Sequence, residues 1–517
     1  FKRSREHRNE AVPGDLKASK TPPGNPVMSK RVHGSPRIAT IADRANPVQN
    51  PWVRLRLLIL GSLAGCLAAR CLAVDWPQFL GPTGRGFSTE TNLVERIPAS
   101  GLPIVWEHEI GTGYSAPSVR DRRVVLHHRR KNSEIIESFD AATGVSRWQH
   151  GYPTEFVDPY GYNNGPRCTP LLSDRWVHTL GAEGRLVCLD RATGKRLWER
   201  ETAKEFEIPD AFFGVGSSPV MEGDRLLVML GGQPNSGVVA MDPATGKTLW
   251  ESVGQSNWEG QTMHGWPGEP LVQWRRQEKQ ASYASPVPAT IHGQRHVLCL
   301  LRQGLVSVNP TNGHVNFSYW FRARVAESVN AANPVVQDDL ILITAAYYRV
   351  GSVLLRVRPD GRGVDPVWRG TSMEAHWSTP LLVGSHLYAF SGRNEPDASF
   401  RSVEFLTGKL AWERSERWQP HSTPQPPVFG RGSLIHADGR LIALGEGGLL
   451  GLFKPTPEAC EELGRWQVPS LEYPCWAAPV LSDGRLFLRS ENRLVCLAFQ
   501  RNSAPATSSP APAPSPQ

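Results

Sequence analysis

Seven side chains that could contact a ligand stand at a repeated position, two to four residues before a proline that opens an apolar stretch. They are Tyr114, Arg167, Ser217, Tyr283, Asn330, His376 and Trp476. The set combines aromatic rings, an amide, a cation and an imidazole, which suits a small polar ligand, a sugar or a peptide end. We expect these side chains to meet at one place. For each of them, packing or a hydrogen bond between neighbouring units is the alternative role.

Further candidates for ligand contact lie in the longer connections, which include 151–166 and 252–282. Trp258 and Trp266 belong to the second of these, and exposed indoles there would stack on carbohydrate or line a peptide groove. Capping of the core is the alternative. Arg393 and Glu395 stand two residues apart. For them we expect an ion pair, with each other or with Arg167, rather than ligand contact.

Metal, redox or nucleophilic chemistry has little support in the residue pattern. The chain has eight cysteines, no two of them adjacent, and the six beyond Ala73 match neither zinc nor haem-attachment spacing. No Ser-His-Asp order or phosphate-binding glycine loop is present in the sequence. We therefore predict no catalytic residue and no metal site. Cys460 and Cys475 could form a disulfide in an oxidising compartment.

The elements that position these residues are indicated by a repeated nine-residue segment. It occurs as DAATGVSRW ending at Trp148, DRATGKRLW ending at Trp198 and DPATGKTLW ending at Trp250, with worn copies at 309–317 and 404–412. The acidic or amide side chain and the Thr hydroxyl bond backbone groups of a turn, and the glycine supplies a dihedral that a Cβ would oppose. The segment predicts a tight turn and then a strand whose tryptophan packs on the neighbouring sheet.

A second marker, a small residue before proline, opens an apolar strand ahead of each copy. It occurs at Ala116-Pro117, Thr169-Pro170, Ser218-Pro219, Ser285-Pro286, Asn333-Pro334, Thr379-Pro380 and Ala478-Pro479, and the stretch 430–444 fills the one double gap. The blade tryptophans predicted from this spacing are Trp106, Trp148, Trp198, Trp250, Trp320, Trp368, Trp412 and Trp466. The pattern predicts an all-β, eight-bladed β-propeller of four-stranded antiparallel blades. An N-terminal strand around Trp106 is expected to complete the last blade and cover both sheet edges.

The net charge of +8 lies at the front of the chain. Residues 1–56 hold 12 Lys and Arg against 4 Asp and Glu, whereas the remaining residues hold 45 of each sign. The main body is therefore neutral overall. We exclude a nucleic-acid partner for it on this ground.

Residues 53–74 resemble a secretory signal, with two arginines before a short apolar run and small residues at the cleavage site. The predicted organisation is a disordered basic extension or mis-assigned start at 1–52, this signal, the propeller at 75–499, and a disordered Pro/Ala/Ser tail at 500–517. We expect a monomer in the periplasm or cell envelope. Cys66, in the segment LAGC, resembles a lipobox cysteine, so a lipid anchor is an alternative to cleavage.

The segment AMDPATGKTLW at 240–250 resembles the W-motif of alcohol dehydrogenases dependent on pyrroloquinoline quinone (PQQ), in which A-x-D-x-x-T-G-x-x-x-W recurs around eight blades. The resemblance spans roughly residues 75–499 and extends to BamB-type assembly lipoproteins, which keep the propeller without the quinone. The stretches 75–86, 158–170 and 391–408 are similar to exported PQQ-like repeat proteins of planctomycete and verrucomicrobia type. The motif implies the fold more than the function, because its Trp and Gly hold blades together.

The resemblance leaves three functions open. In the dehydrogenases PQQ stacks between a Trp and a vicinal Cys-Cys disulfide, Ca²⁺ is held by Glu, Asn and Asp oxygens, and an Asp acts as base. This sequence has no adjacent cysteines and no haem motif. We therefore expect no cofactor and a non-catalytic binding or scaffold module for a protein or polymer partner in the envelope. The alternatives are a PQQ- and Ca²⁺-dependent oxidoreductase and a carbohydrate-binding propeller that engages an envelope polysaccharide.

Overall fold

The main body folds into eight four-stranded antiparallel sheets, the blades of a propeller. The computed structural model describes residues 74–209, 213–254, 282–323, 329–393, 398–416 and 427–501, and the backbone of 263–264 and 272–273. Seven blades use four consecutive strands, and blade 8 combines the last three strands with β1 (Ile104–Glu109). The predicted all-β, eight-bladed architecture is confirmed.

Blades 1 to 7 each run from an inner to an outer strand in chain order. The strands from blade 1 to blade 4 are β2 (Ser118–Arg120), β3 (Arg123–Arg130), β4 (Ser133–Asp140), β5 (Ser146–Pro153), β6 (Leu171–Leu172), β7 (Trp176–Leu180), β8 (Arg185–Asp190), β9 (Arg196–Glu201), β10 (Val220–Glu222), β11 (Arg225–Gly232), β12 (Ser236–Met241), β13 (Thr248–Ser252), then the separate ribbon of β14 (Met263–His264) and β15 (Val272–Gln273), and β16 (Val287–Ile291), β17 (Gln294–Leu301), β18 (Gly304–Val308) and β19 (Val315–Trp320). Those from blade 5 to blade 8 are β20 (Val335–Gln337), β21 (Leu340–Ala345), β22 (Gly351–Val357), β23 (Val364–Gly370), β24 (Leu381–Val383), β25 (His386–Ser391), β26 (Ser399–Glu404), β27 (Leu410–Ser415), β28 (Ser433–Ala437), β29 (Arg440–Leu444), β30 (Leu449–Pro455), β31 (Cys460–Gln467), β32 (Val480–Ser482), β33 (Arg485–Arg489) and β34 (Arg493–Ala498). Within the described ranges the helical elements are α1 (Thr202–Glu205) and a 3₁₀ turn (Tyr347–Arg349).

The space between blades is apolar because the middle strands carry aliphatic residues on both faces. All five residues of β18 are buried, whereas β27, an outer strand, alternates between exposed and half-buried residues. Each fully buried Val or Leu contributes about 1.5–3 kcal/mol. The blades are therefore held face to face by their middle strands, and the outer strands meet solvent.

Blade 8 joins the first strand of the series to the last. β1 pairs antiparallel with β34, with Trp106 opposite Cys496. The fully buried Arg489 donates hydrogen bonds to the backbone carbonyls of Ser115, His127 (3.2 Å) and Gly111 (3.3 Å). Burial lowers the pKa of Arg489 to about 9. A buried cation thus bonds blade 8 to the start of blade 1.

The repeated turn has the geometry that its residue types predict. In blade 1, Oδ1 of Asp140 accepts hydrogen bonds from the N–H groups of Ala142 (3.0 Å) and Thr143 (3.1 Å) and from the Thr143 hydroxyl (3.1 Å). Gly144 adopts φ +73°. The hydrogen bond from Arg147 and those within the turn lower the pKa of Asp140 to about 2.

The repeated tryptophan docks on the turn of the following blade. The indole N–H of Trp148 donates to the carbonyl of Arg191 at 3.2 Å, and its ring covers Gly194, where a Cβ would lie 2.5 Å from ring carbon. The equivalent hydrogen bond, at 2.9–3.1 Å, is made by Trp106, Trp198, Trp250, Trp368 and Trp412. One indole therefore both bonds and covers the neighbouring turn.

Two of the eight predicted blade tryptophans lie elsewhere in their strands. The docking position stands beside a β-bulge of the outer strand, and in blade 4 it is occupied by Phe317, with Trp320 three residues further. In blade 7 it is occupied by Gly464, with Trp466 two residues further. The predicted equivalence is corrected for these two residues. The sequence spacing indicates only the nearest tryptophan. The β-bulge sets the register of the outer strand and therefore decides which residue occupies the docking position.

In blades 2 to 6 the residue before the marker proline connects neighbouring blades around the propeller axis. The backbone N–H of this residue donates a hydrogen bond to the side-chain oxygen of the equivalent residue in the next blade. The bonds run from the N–H of Thr169 to Ser218 Oγ (3.0 Å), of Ser218 to Ser285 Oγ (3.1 Å), of Ser285 to Asn333 Oδ1 (2.7 Å) and of Asn333 to Thr379 Oγ1 (2.9 Å). We call these five residues the axial belt.

The six described cysteines are free thiols, so the suggested disulfide between Cys460 and Cys475 is absent. Cys460 opens β31, whereas the N–H of Cys475 donates to the carbonyl of Glu446 at the opposite end of that strand. An extended strand of this length separates its ends by roughly 25 Å. The two sulfurs therefore cannot meet.

The predicted basic extension, the signal with Cys66 and the tail lie outside the described residues, apart from their boundary positions. No helix within the described ranges is long and apolar enough to cross a membrane.

Candidate binding site at the axial mouth

A cavity of about 210 Å³ lies on the propeller axis, at the end where the inner strands begin. We call this end the axial mouth. All eight blades contribute to the lining. The main lining residues are Tyr114, Tyr162, Arg167, Phe213, Ser218, Tyr283, Ser285, Ala331, Tyr347, His376, Trp377, Thr379, Arg431, Ser433, Leu434, Trp476 and Ala478, with Phe79 and Leu80 from the segment before blade 1.

The segment 76–88 crosses the inner strands and closes the cavity from below. Trp76 exchanges two backbone hydrogen bonds of 2.8 Å with Val119 of blade 1. At the other end of the segment, the N–H of Ser88 donates to the carbonyl of His436 in blade 7 at 2.9 Å. We call this segment the axial plug. Because Phe79 and Leu80 lie in its middle, the floor of the cavity is apolar.

Aromatic rings in mutual contact form the cavity wall. Rings at these separations gain favourable edge and offset-stacking contacts in addition to their burial. The centroid distances are 4.8 Å for Tyr114–Trp476, 5.3 Å for Trp377–Trp476, 4.9 Å for His376–Trp377, 5.0 Å for Tyr347–His376, 5.8 Å for Tyr162–Phe213 and 5.6 Å for Phe213–Tyr283.

Four half-exposed tyrosines surround the cavity on the solvent side. Tyr160 is 51% exposed, Tyr162 56%, Tyr348 47% and Tyr473 56%. Each rests against a ring of the wall or against its neighbour, with centroids 5.4–6.2 Å apart. We call these four residues the tyrosine rim. Exposed aromatic surface of this kind marks an interaction site more often than an ordinary surface does.

A buried ion pair supports the wall at Arg431. Its guanidinium lies between the rings of Trp377 (4.8 Å to the centroid) and Trp476 (5.5 Å). Nη2 and Nε donate to the carboxylate of Glu446 at 2.7 and 3.0 Å, and the Glu446 side chain is only 5% exposed. The pair fixes both indoles and cancels its own charge.

A second ion pair orders the connection 154–167 that carries two rim tyrosines. The Asp158 carboxylate, fully buried, accepts hydrogen bonds from Arg167 (2.7 Å) and from the N–H of Tyr160 (2.9 Å). Arg129 donates to the carbonyls of residues 156 and 164 in the same connection. The connection is therefore held by charged hydrogen bonds rather than by exposed contacts.

His376 is a neutral imidazole within the wall. Burial, followed by the charges of Arg431 and Arg393, lowers the pKa of His376 to about 3. Its ring stacks on Tyr347. At neutral pH His376 adds no positive charge to the cavity.

The structure places five of the seven residues predicted before the prolines in the cavity lining: Tyr114, Arg167, Tyr283, His376 and Trp476. Asn330 is fully buried, and its amide nitrogen donates to the carbonyls of Leu301 (2.8 Å) and Phe321 (3.0 Å). Ser217 is also buried. Asn330 therefore ties strands together, and a ligand role for the other five stays a prediction.

Arg393 lies over the rings of Tyr347 (4.4 Å) and Tyr348 (4.9 Å), beside the rim. Its suggested partner Glu395 lies outside the described residues, as do Trp258 and Trp266. Arg167, the alternative partner suggested for Glu395, pairs with Asp158.

Sequence reasoning missed several wall residues. Arg431 precedes β28 in the one blade that lacks the proline marker, so the marker could not reveal it. Trp377 directly follows the predicted His376 and was identifiable from that neighbour. Phe213 and Tyr347 lie in irregular connections, where no repeated position identifies them.

Within the part of the chain that the structure describes, no three His, Cys, Asp or Glu side chains are grouped to hold a metal ion. His127 and His128, adjacent in β3, contact different carboxylates, Glu134 and Glu137, each at 3.3 Å. Burial lowers the pKa of His128 to about 4.

Residues 131–364 match the family model described as outer membrane protein assembly factor BamB. Among solved structures, BamB from Moraxella catarrhalis is 12% identical with a TM-score of 0.50, over 77% of this chain and 99% of that chain. The quinohemoprotein alcohol dehydrogenase from Comamonas testosteroni is 14% identical with a TM-score of 0.56, over 87% and 83%. A quinohemoprotein alcohol dehydrogenase from Pseudomonas putida HK5 is 12% identical with a TM-score of 0.52, over 86% and 82%. No curated protein sequence matches the chain.

At these identities the structural likeness shows the fold, which assembly factors and dehydrogenases share. The family match runs from the start of β4 to the start of β23 and includes four of the five copies of the repeated turn. The chain is therefore an eight-bladed β-propeller, of which residues 131–364 match the BamB family model.

Proposed function

We propose that this chain is a non-catalytic binding module of the periplasm or cell envelope, which holds a protein or polymer partner at the axial mouth. The observation that carries the proposal is the tyrosine rim around a blind aromatic cavity. Tyr, Trp and Arg are the residues most enriched where proteins bind partners tightly. All three types are concentrated at this mouth.

The side chains of the site are already held in place before a partner binds, and this supports a binding function. Two ion pairs with buried carboxylates, Arg167–Asp158 and Arg431–Glu446, fix the wall and one rim connection. A site that is already ordered loses less conformational freedom when a partner binds.

The proposed location has two supports: the BamB family match and the signal-like segment at 53–74. Expression of the full chain with a C-terminal tag in a Gram-negative host, followed by fractionation, tests it. We expect a cleaved or lipidated product in the envelope fraction. An uncleaved product in the cytoplasm contradicts the location without affecting the binding site.

A random peptide library displayed on phage tests binding at the mouth. Selected peptides should lose affinity for Ala331→Phe, which fills the cavity, and keep it for Ala244→Phe. Ala244 is exposed in the turn between β12 and β13, at the opposite end of the propeller. Peptides that bind both variants equally would show that the mouth is not the binding surface.

The cofactor that the resemblance implies, PQQ with Ca²⁺, does not fit this lining. Among the described lining residues there is no carboxylate, and the neighbouring Asp158 and Glu446 already bind arginines. Ca²⁺ takes six to eight oxygen ligands and would here lie beside two guanidinium groups. An absorbance titration with PQQ and Ca²⁺ should show no stoichiometric uptake. Uptake with dye reduction would instead support the oxidoreductase alternative.

A further inference from the structure

The depth of the cavity limits what can enter the axial mouth. Phe79 and Leu80 of the axial plug close its floor, so a polymer chain cannot pass along the axis. The space of about 210 Å³ accepts one protruding group. A partner therefore enters with a single side chain or with a chain end.

The charges at the cavity disfavour an anionic group. Arg167 and Arg431 reach the lining, but each is neutralised by a carboxylate whose side chain is at most 5% exposed. The histidine of the wall is neutral as well. An entering carboxylate or phosphate would lose its hydration without gaining an uncompensated cation among the described lining residues.

The hydrogen-bonding groups of the cavity disfavour a sugar ring. The hydroxyls of Ser218, Ser285 and Thr379 each already accept one N–H group of the axial belt, so part of their hydrogen-bonding capacity is used. The rest of the described lining is mostly aromatic and aliphatic. Each sugar hydroxyl left without a partner there loses its hydrogen bonds to water and weakens binding.

Together these observations favour a neutral planar ring. The walls Tyr114, Trp377 and Trp476 offer ring faces and edges at stacking distances. The tyrosine rim surrounds the entrance, in the position of the contacts that exclude water around a binding hot spot. Its four phenols extend the contact beyond the entering ring.

We infer that the cavity receives one aromatic side chain of a partner protein, which acts as the anchor of the complex. The inference rests on the proposed function, and it names the class of partner: a protein that presents an exposed Trp, Tyr or Phe. The rim then packs on the residues beside that anchor.

Saturation-transfer NMR with N-acetyl-L-tryptophan amide tests the inference on the full chain. We expect saturable binding with Kd on the order of 1 mM, the scale for a ligand of this size in one pocket. N-acetyl-L-leucine amide and N-acetyl-L-tryptophan, which carries a carboxylate, should bind at least about tenfold more weakly. Ala331→Phe and, independently, Ala478→Phe should abolish binding, and Ala244→Phe should preserve it.

Melting curves of the variants separate a filled cavity from a misfolded chain, because only variants that melt like the parent are compared. A different result would overturn the aromatic anchor: cellotriose or N-acetylchitotriose binds, this binding is lost in the filled variants, and the tryptophan amide does not bind. The mouth would then remain a binding site. Absence of binding by every probe, together with selected peptides that ignore the filled variants, would overturn the proposed function as well.

Discussion

The indole N–H of Trp198 donates to the carbonyl of Pro243 at 3.1 Å, so the outer strand of blade 2 is bonded to the repeated turn of blade 3. The same ring covers Gly246, whose φ is +71° and where a Cβ would lie 2.8 Å from ring carbon. The glycine of the repeated turn thus serves two purposes. It adopts the turn dihedral, and it lets the indole of the preceding blade approach.

Gly246→Ala should therefore lower the free energy of unfolding by more than the cost of placing alanine at a positive φ. Alanine at positive φ costs about 1 kcal/mol, and the clash with Trp198 adds about 1–3 kcal/mol. Gly293→Ala is the matched control, since Gly293 has φ +73° with nothing within 4 Å of a Cβ. Thermal unfolding midpoints measure the difference. An equal drop of the unfolding midpoint in both variants would mean that packing of the indole does not require a glycine at position 246.

The axial belt predicts the effect of Asn333→Leu. The buried Oδ1 of Asn333 accepts a hydrogen bond from the N–H of Ser285 at 2.7 Å. Leucine at position 333 leaves that N–H without its partner. The cost should be about 1–3 kcal/mol, and hydrogen exchange at Ser285 should accelerate. Asn312→Leu is the control, because Asn312 is exposed and its hydrogen bond competes with water. Unchanged exchange at Ser285 would argue against the belt.

Stability should fall as the pH drops from 6.5 toward 4. Burial lowers the pKa of His178 to about 4, and that of His128 to about 4. The unfolded chain, in which histidine has a pKa of about 6.5, binds these protons first, so the stabilisation present above that pH is lost on acidification. His178→Phe should flatten the fall of the melting midpoint between pH 6.5 and 4.5. His314→Phe, exposed in a turn, should keep the parent slope, and equal slopes in all three proteins would refute the assignment.

Asp158→Asn should loosen the connection that carries two rim tyrosines. The substitution removes the charge that pairs with Arg167 and leaves a buried guanidinium uncompensated, which costs about 3–5 kcal/mol. Chymotrypsin should then cut at Tyr160 and Tyr162 faster than in the parent. Asp174→Asn, whose side chain is 83% exposed, is the control and should leave cleavage unchanged. Equal cleavage in both variants would mean that the ion pair does not order the connection.

The architecture could be predicted from the sequence because its signals are local. The repeated turn needs only its own Asp, Thr and Gly, and the proline marker places every inner strand that it precedes. The position of Trp320 could not be predicted, because the bulge that selects Phe317 depends on pairing with β18. Spacing alone does not show a bulge.

The candidate site could be predicted only in part. The residues before the prolines converge because every blade begins its inner strand at the same end of the propeller. Tyr114 and Trp476 therefore lie together. The floor comes from the axial plug, and its contact with blades far away in sequence leaves no local pattern. Asn330 differs from its counterparts because two carbonyls of blade 4 capture its amide.

The most direct test of binding at the axial mouth is fluorine NMR of 5-fluorotryptophan-labelled protein, with Trp377, Trp476, Trp198 and Trp250 assigned by Trp→Phe substitution. A peptide selected from the random library is titrated into it. We expect shifts at Trp377 and Trp476, in the cavity wall, and none at Trp198 and Trp250, which dock on turns at the opposite end. Shifts confined to Trp198 or Trp250 would show that the peptide does not bind at the axial mouth.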